Sequence, residues 1–332
     1  MTEAPEAVRE AVLREATRGL TVAAGTQKTL PPWLFYDERG SDLFEQITRL
    51  PEYYLTRAER SIFTKFSREI LAFAHGPITV AELGAGSASK TGILLAAAAE
   101  SQPDLLYQPV DVSESALAAA ERSLTESIAG LRVKPQIANY VTETYAIERP
   151  AGCNVLALYI GSSIGNFSPP EATAILRRLR KQLKGISDGI LLGVDLAPCA
   201  AKSVDQLIAA YDDAAGVTAA FNKNILARLN REIEADFDLD SFTHRARWNA
   251  AESRVEMHLE SQIAQNVHFG DALGGAKSRP IHFEAGETIH TENSYKFTER
   301  GLRPLLTGAG FGSPHLLHDP DHRFAVALAH VG

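Results

Sequence analysis

The sequence contains few of the residues from which disulfide and metal scaffolds are built. Its 332 residues include only two cysteines, Cys153 and Cys199, which stand far apart and outside any Cys-x-x-Cys pattern. The ten histidines also lack the glutamate-flanked helical spacing of a zinc enzyme. We therefore predict no disulfide framework and no metal site, and we expect a reduced protein of the cytoplasm.

Long apolar runs and runs of positive charge are absent as well. No window approaches the ~20 apolar residues that a membrane-spanning helix requires, and the acidic segment 1–6 does not begin a signal peptide. The formal net charge is −8, and no stripe of lysine and arginine is present to neutralise a phosphate backbone. We predict neither export nor membrane insertion, no nucleic-acid partner, and a monomer that acts on a small molecule.

What the chain does have is the periodicity of an α/β protein. With 45% hydrophobic and 22% charged residues, it is large enough to build one big or two modest cores. Apolar and helical runs alternate, and they predict strands at 78–83, 106–110, 154–159 and 189–195, a further strand ending at 137–140, and helices at 91–99 and 170–183. This order predicts a doubly wound parallel sheet.

The C-terminal third has a different pattern. Residues 200–230 are helical in character, and 254–260 alternate as a half-exposed strand does. A helix at 298–308 and two strands, 314–317 and 323–328, then predict an antiparallel hairpin at the edge of the sheet.

These elements predict two domains, each built from separate stretches of chain. We assign residues 61–199 and 296–332 to a Rossmann-like cofactor-binding domain. Residues 1–60 and 200–295 are assigned to a discontinuous α+β domain that binds substrate and covers the cofactor mouth.

A glycine loop follows the first predicted strand. Gly84 and Gly86 remove side chains where the chain turns sharply, so that a nucleoside can lie against the backbone. The third glycine of the dinucleotide fingerprint is replaced by Ser89, followed by Lys90, which makes pyrophosphate binding less favourable. Taken alone, such a loop also fits an ordinary tight turn.

Polar residues at the ends of the next two strands narrow the choice of cofactor. Asp111 ends a strand where its carboxylate can accept hydrogen bonds from both ribose hydroxyls of an adenosine. Asn139 offers an amide to the adenine edge, and Tyr140 an aromatic ring beside it. Together with the glycine loop, these residues suggest S-adenosylmethionine.

Six longer segments carry a more specific pattern. They are Phe-Tyr-Asp-Glu-Arg-Gly-Ser at 35–41, Gln-Ile-Thr-Arg-Leu-Pro-Glu-Tyr-Tyr at 46–54, Gly-Ser-Ser-Ile-Gly-Asn-Phe at 161–167, the stretches 210–222 and 235–240, and Thr-Glu-Asn-Ser at 291–294. They resemble the histidine Nα-methyltransferases of ergothioneine biosynthesis, from about residue 20 to the C terminus. The resemblance implies a class I methyltransferase sheet. It also implies that three methyl groups pass in succession from S-adenosylmethionine to the α-amine of L-histidine, which gives hercynine.

The resemblance also implies site residues, position by position. Cofactor contacts fall on Gly84, Lys90, Asp111, Asn139 and Tyr140, and Gly86 belongs to the same loop; substrate contacts fall on Tyr53, Gly161, Asn166, Tyr211, Glu292 and Ser294. The family commonly has Gly-Asp-Phe where this chain has Ala138, Asn139 and Tyr140, which exchanges a carboxylate for an amide and adds a hydroxyl.

Roles for these residues follow from the chemistry that methyl transfer needs. Tyr53 and Asn166 are expected to orient the amine and carboxylate through neutral hydrogen bonds, without a covalent intermediate. Tyr36, in a matched segment, could sense how many methyl groups the amine carries, although an anchored N-terminal aromatic fits it nearly as well. Met257 could meet the imidazole edge, although a methionine on a strand is most often core.

Glu292 and Ser294 are two residues apart, so on a strand they point to one face. A carboxylate and a hydroxyl there can grip the two nitrogens of an imidazole. Without the resemblance, the same run of Thr, Glu, Asn and Ser fits a solvated strand face.

Three alternatives remain open at this point. The first is a methyltransferase of another amino acid, such as tryptophan, for which Glu292 is the discriminating residue because an indole has one N–H and more bulk. The second is a nicotinamide-dependent oxidoreductase, against which Ser89 counts. The third is a noncatalytic protein that binds adenosylmethionine, which would not need the substrate residues.

Overall fold

A computed structural model describes residues 6–23, 25–270 and 280–332. The α-helices of these residues are α1 (Glu6–Leu20), α2 (Glu38–Ile47), α3 (Leu55–Phe73), α4 (Thr91–Ala99), α5 (Glu114–Ser127), α6 (Pro169–Gln182), α7 (Val204–Ala209), α8 (Val217–Glu232) and α9 (Glu299–Gly308). Short 3₁₀ turns occupy Pro32–Phe35, Ser163–Asn166 and Leu239–Ser241.

The strands of the same residues fall into a large sheet, a smaller sheet and a separate pair. They are β1 (Lys28–Thr29), β2 (Ile78–Leu83), β3 (Leu106–Asp111), β4 (Arg132–Val133), β5 (Gln136–Ile137), β6 (Asn154–Tyr159), β7 (Gly189–Asp195), β8 (Phe242–Asn249), β9 (Arg254–Ser261), β10 (Gln265–Val267), β11 (Ile281–Phe283), β12 (Thr288–Tyr295), β13 (His315–His318) and β14 (Phe324–His330).

The large sheet has the strand order β13-β14-β7-β6-β2-β3-β4, with β5 also paired to β3. Strands β2 to β7 run parallel, and β14 is antiparallel to both β7 and β13. The predicted parallel sheet and its closing hairpin are therefore confirmed. This strand order, with its reversed edge hairpin, is the Rossmann-like arrangement of class I methyltransferases.

Helices cover both faces of this sheet, because its central strands are apolar on both sides. On one face, Ile190, Leu192 and Val194 of β7 belong to a buried cluster that includes residues of α6 and α9. On the other face α3 lies so close that a Cβ at Gly193 would come within 1.9 Å of the Glu59 carboxylate. The sheet is therefore doubly wound, as predicted.

Helix starts follow local capping chemistry. The Ser113 hydroxyl accepts from the Ala116 N–H at the start of α5, and the Thr298 hydroxyl accepts from the Gly301 N–H at the start of α9. At the start of α6 the Glu171 carboxylate accepts from the Ser168 N–H at 2.9 Å, next to a proline in the first helical position.

Two predicted elements differ from the structure for local reasons. The strand expected to end at 137–140 stops at Ile137, because the Asn139 carbonyl and side chain accept the N–H groups of the next residues and close a turn. The helical stretch 200–230 is two helices. Gly216 adopts φ 74° before α8, and Asp213 accepts the first N–H groups of that helix.

The chain divides into two compact units. One contains Met1–Glu52, Asp205–Asn249 and Val255–Asn293, and the other contains Tyr53–Val204, Ala250–Arg254 and Ser294–Gly332. We call them the small-sheet unit and the large-sheet unit. The assignment of substrate binding to one domain and cofactor binding to the other stays a prediction.

The small-sheet unit is organised around α8. Its sheet has the order β1-β12-β9-β8, and α8 contacts α1, α2 and β8. Phe221 of α8 stacks on Phe35 with ring centroids 4.5 Å apart, and the Tyr36 ring meets Phe221 edge-on at 5.9 Å. None of the helices of the described residues is long and apolar enough to cross a membrane.

A buried carboxyl group lies within the large-sheet unit, at Glu82 of β2. It is 1% exposed, and it accepts hydrogen bonds from the Thr91 hydroxyl at 2.8 Å and the Tyr107 hydroxyl at 2.5 Å. Burial raises the pKa of Glu82 to about 7, against the lowering effect of these two hydrogen bonds.

This pKa predicts a pH dependence of stability. The folded protein holds a proton at Glu82 more tightly than the unfolded chain does, so the stabilisation is full below pH 4.5 and is lost as the pH rises through about 7. We expect Glu82→Gln to flatten this fall in the free energy of unfolding by on the order of 1–3 kcal/mol. Urea unfolding across this pH range measures it, with exposed Glu126→Gln as the control. Parallel pH profiles for the wild type and Glu82→Gln would refute the assignment.

Candidate active site

The cofactor loop connects β2 to α4 at the carboxyl edge of the large sheet. Gly84 and Gly86 have φ values of 66° and 52°, in the left-handed region that favours glycine. The Gly86 N–H donates to Asp111 Oδ2 at 2.9 Å, and the Ser113 N–H donates to Asp111 Oδ1 at 2.9 Å. Burial raises the pKa of Asp111, and these backbone hydrogen bonds oppose the rise. The carboxylate therefore fixes the loop and lies where the sequence predicted a ribose partner.

Tyr140 lies beside the glycine loop, and its hydroxyl points into the fold. A Cβ built on Gly84 would be 3.6 Å from the Tyr140 ring and hydroxyl. The Tyr159 hydroxyl donates to the Tyr140 hydroxyl at 3.2 Å, and burial raises the pKa of Tyr140 to about 12. The hydroxyl by which this chain departs from the family pattern is thus bonded internally.

Asn139 is half-buried, and its side chain takes part in the turn after β5. Its Oδ1 accepts from the Val141 N–H at 3.1 Å. A carboxylate oxygen can do the same, so this contact tolerates the exchange of Asp for Asn. The amide adds an N–H₂ donor that a carboxylate lacks.

Lys90 is tied to a residue that sequence analysis does not single out. Its Nζ forms an ion pair with Glu59, whose carboxylate is fully buried and also accepts from the Gly161 N–H at 3.0 Å. Glu59 therefore links a predicted cofactor residue to a predicted substrate residue. The sequence pattern could have revealed Glu59, since this carboxylate shares the helix face of buried Leu55 and Ile62.

Apart from Glu59 of α3, these groups lie at or just beyond the carboxyl ends of neighbouring parallel strands, where open α/β sheets bind their ligands. They fit a nucleoside. A Cβ on Gly86 would meet nothing within 4 Å, the Asp111 carboxylate ends the adjacent strand, and the Tyr140 ring lies against the same loop.

A second buried carboxylate, that of Asp195, ends β7. The Tyr54 hydroxyl donates to both of its oxygens, at 2.8 and 2.9 Å. Lys202 Nζ lies 2.8 Å from Oδ1, and Lys296 Nζ lies 2.8 Å from Oδ2. Both lysine side chains and the carboxylate are fully buried. Burial lowers the pKa of Lys202, while the Asp195 charge opposes that shift.

Two of the residues bonded to Asp195 are neighbours in sequence of predicted substrate residues. Tyr54 follows Tyr53, which is 7% exposed. The Asp195 N–H donates to the hydroxyl of Ser162, the neighbour of Gly161, at 2.9 Å. Nothing in the sequence distinguishes this aspartate and these lysines from ordinary polar residues, and the contacts of Asp195 with Tyr54 and Lys296 join distant parts of the chain.

Asn166 and Ser294 lie in adjoining segments of the large-sheet unit. Asn166 ends a 3₁₀ turn, in which a Cβ on Gly165 would come within 2.8 Å of the Tyr295 carbonyl oxygen. Ser294 precedes Tyr295 on β12 and is 4% exposed. This unit therefore carries all the predicted cofactor residues, together with Tyr53, Gly161, Asn166 and Ser294.

The small-sheet unit carries the other predicted substrate residues, and Asn222 of α8 connects several of them. Its Oδ1 accepts from the Thr291 hydroxyl at 2.7 Å, and its Nδ2 donates to His244 Nδ1 at 2.8 Å. His244 Nε2 then donates to the Tyr211 carbonyl at 2.8 Å. Burial lowers the pKa of His244, which keeps the ring neutral.

Met257 and Glu292 lie on neighbouring strands of this unit. Met257 is 2% exposed, and its carbonyl accepts from the Thr291 hydroxyl at 3.1 Å. Glu292 is half-buried and follows Thr291 on β12, so the two side chains point to opposite faces. Glu292 and Ser294 do share a strand, as the sequence predicted.

At two places in the described residues a glutamate and two histidines come together, although the sequence predicts no metal site. Potential ligand atoms lie within 4.8 Å of one another in Glu256, His258 and His290, and in Glu299, His318 and His322. The paired rings are nearly parallel, at 17° and 24°. Parallel rings direct their nitrogens alongside one another rather than toward one ion, and burial lowers the pKa of His258 to about 4. We assign no metal to either cluster.

Comparison with known proteins decides the family. Residues 12–331 match the family model described as histidine-specific methyltransferase, SAM-dependent. The chain belongs to this family. It is 40% identical over 326 residues to the histidine N-alpha-methyltransferase of Mycolicibacterium smegmatis, covering 98% of this chain and 97% of that protein. It is also 40% identical over 304 residues to the histidine N-alpha-methyltransferase of Mycobacterium tuberculosis, covering 92% of this chain and 91% of that protein.

A more distant relative is the ergothioneine biosynthesis protein 1 of Schizosaccharomyces pombe. The identity is 32% over 291 residues, which cover 85% of this chain and 36% of that protein. The chain is thus an S-adenosylmethionine-dependent methyltransferase, and the cofactor suggested by its sequence is confirmed.

The geometry of the cofactor loop predicts the effect of one substitution in this methyltransferase. Asp111→Asn keeps the shape of the side chain but removes its charge and one acceptor. We expect S-adenosylmethionine to bind roughly 10- to 100-fold more weakly, the loss of about 1.5–3 kcal/mol typical of a hydrogen bond to a charged group.

Titration calorimetry with S-adenosylmethionine measures this affinity. Glu114→Gln, an exposed carboxyl nearby on α5, is the control for a general change of charge. An unchanged affinity in Asp111→Asn would rule out a ribose contact.

Proposed function

We propose that this enzyme transfers three methyl groups in succession to the α-amine of L-histidine, forming hercynine in the first step of ergothioneine biosynthesis. The observation that carries the proposal is the end-to-end similarity to histidine N-alpha-methyltransferases. The name of the fission-yeast relative supports the placement in ergothioneine biosynthesis.

S-adenosylmethionine, when bound, supplies a methyl group on a sulfonium carbon. The work of the protein is then to hold the amine in line with that carbon and to exclude water. In the proposal, Gly84, Gly86 and Asp111 hold the ribose end of the cofactor. Asn139 and Tyr140 flank the adenine, and Lys90 supports the loop through Glu59.

Neutral groups suit the amine, which must lose its proton before each transfer. We propose that Tyr53 and Asn166 orient the amine and carboxylate, with Gly161 beside them. A carboxylate at this place would stabilise the unreactive ammonium form. The internal bond from the Tyr54 hydroxyl to Asp195 supports Tyr53 as the tyrosine of the pair that serves the substrate.

Residues of the small-sheet unit complete the proposed set. We propose that Tyr211 contacts the substrate and that Tyr36 senses how many methyl groups the amine carries. His244 holds the backbone carbonyl of Tyr211, and Phe221 packs against the ring of Tyr36. Met257 is proposed to contribute apolar surface near the ring. The substrate domain, residues 1–60 and 200–295, is part of the same proposal.

The imidazole ring is proposed to bind Glu292 and Ser294. A carboxylate accepts from a ring N–H, and a hydroxyl can donate to the other nitrogen. This pairing favours histidine over tryptophan, because an indole has a single ring N–H.

We also propose that the enzyme is monomeric and works in the cytoplasm. Its cysteines, Cys153 and Cys199, are both free thiols, as is usual in reducing compartments. Light scattering at enzyme concentrations used for assays tests the monomer, and a mass of twice 36.0 kDa would contradict it.

One experiment tests the substrate directly. The pure protein is incubated with S-adenosylmethionine and each of the twenty amino acids, and products are weighed by mass spectrometry for one, two or three added methyl groups. We expect trimethylation of histidine alone. Methylation of another amino acid would leave the family and the chemistry intact but contradict the proposed substrate. Absence of any methylation would contradict the proposed reaction.

Variants of Glu292 test the ring contact in the same assay. We expect Glu292→Gln to raise the KM for histidine roughly 10- to 100-fold, because a charge-assisted hydrogen bond is lost, and to leave cofactor affinity unchanged. Glu260→Gln is the control, since its carboxylate is on the neighbouring strand and faces Arg245. Equal losses of histidine and cofactor affinity would argue against a ring contact.

A further inference from the structure

Lys296 contacts a residue of the proposed substrate site from inside the fold. Its side chain is fully buried, and its Nζ donates to Ser294 Oγ at 2.9 Å. The same Nζ lies 2.8 Å from Asp195 Oδ2. A buried ion pair is therefore bonded directly to the hydroxyl of Ser294.

The second lysine on Asp195 is arranged differently. Lys202 Nζ donates to Asp195 and to the carbonyl oxygens of Leu196 and Arg323, which occupies three acceptors for its three hydrogens. Lys202 therefore acts within the fold. Lys296 is the lysine of this pair that reaches the substrate side, through Ser294.

The charges of this cluster are unequal. Two lysines share the single carboxylate of Asp195, and the third partner, Tyr54, is a neutral hydroxyl. Because all three ionic side chains are buried, water screens the excess positive charge only weakly. The hydroxyl of Ser294 therefore lies beside an excess of positive charge.

We propose that Lys296 is a positioning residue that makes Ser294 a hydrogen-bond donor to the neutral imidazole of histidine. This inference rests on the proposed function and names the form of the substrate ring. An oxygen that accepts from an ammonium group becomes a stronger donor itself. A neutral imidazole offers one nitrogen that accepts, whereas an imidazolium offers none and is repelled by the lysine.

A ring nitrogen that accepts from Ser294 also suits Glu292, two residues before Ser294. When one ring nitrogen accepts from Ser294, the other carries the proton, and Glu292 is the carboxylate proposed to accept from it. Lys296 thus selects the tautomer as well as the charge of the ring. It does so without touching the substrate.

The test compares two lysines that share one carboxylate. Lys296→Met and Lys202→Met each remove one buried ammonium and leave Asp195 with the other lysine and Tyr54. We expect Lys296→Met to weaken histidine binding about tenfold or more, as loss of a charged hydrogen bond does, with S-adenosylhomocysteine affinity unchanged. Lys202→Met should lower thermal stability but change histidine affinity by less than about threefold. Calorimetry with the S-adenosylhomocysteine complex measures histidine binding without turnover.

A double-mutant cycle separates positioning from simple destabilisation. If Lys296 acts through Ser294, adding Lys296→Met to Ser294→Ala should weaken histidine binding no further. Additive losses in the double variant would overturn the inference, as would equal effects of Lys296→Met and Lys202→Met. If the methionine variants do not fold, Lys296→Gln and Lys202→Gln form a second pair with the same expected contrast.

Failure of this inference can be told from failure of the proposed function. Wild-type enzyme that methylates another amino acid, and not histidine, overturns both. Wild-type enzyme that methylates histidine, with Lys296 variants no different from Lys202 variants, overturns the role of Lys296 alone.

Discussion

The buried carboxylate of Asp195 is the constraint on which the large-sheet unit depends. A charge removed from water must be paired, and loss of one partner of such a pair typically costs about 3–5 kcal/mol. Here the partners come from Tyr54 before α3, from Lys202 after β7 and from Lys296 after β12. Tyr54 is next to Tyr53, and Lys296 is bonded to Ser294. The requirement to pair one charge therefore also fixes the backbone at two residues proposed to contact the substrate.

The small-sheet unit reaches a similar result without charge. Asn222 uses both ends of its amide, one toward Thr291 and one toward His244 and the His258 carbonyl. Every member of this network is buried and neutral, so its cost of desolvation is smaller than that of an ion pair. Directional hydrogen bonds, rather than attraction between charges, set the positions of Tyr211 and of the strand that carries Glu292.

Features that depend on residues close together in the sequence could be predicted from it. Strand 78–83 and helix 91–99 carry their periodicity within a few residues, and Asp111 follows its strand directly. The strand before Asn139 was predicted too long, because the apolar pattern contains no information about a side chain that closes a turn. The cluster around Asp195 could not be found, since its contact with Tyr54 joins positions 141 residues apart and nothing in the sequence shows that Lys202 folds back onto Asp195. Glu59 could have been found, because a carboxylate on the apolar face of a helix is unusual.

Gly193 limits which substitutions this protein can accept. Its missing side chain is the space that the Glu59 carboxylate occupies, since a Cβ there would be only 1.9 Å from Oε1. The side chains that positions 59 and 193 can carry are therefore coupled by sterics. Alanine at 193 requires the Glu59 carboxylate to shift, and that shift disturbs its contacts with Lys90 and the Gly161 N–H. The effect of a substitution in the middle of this strand therefore depends on the residue 134 positions earlier.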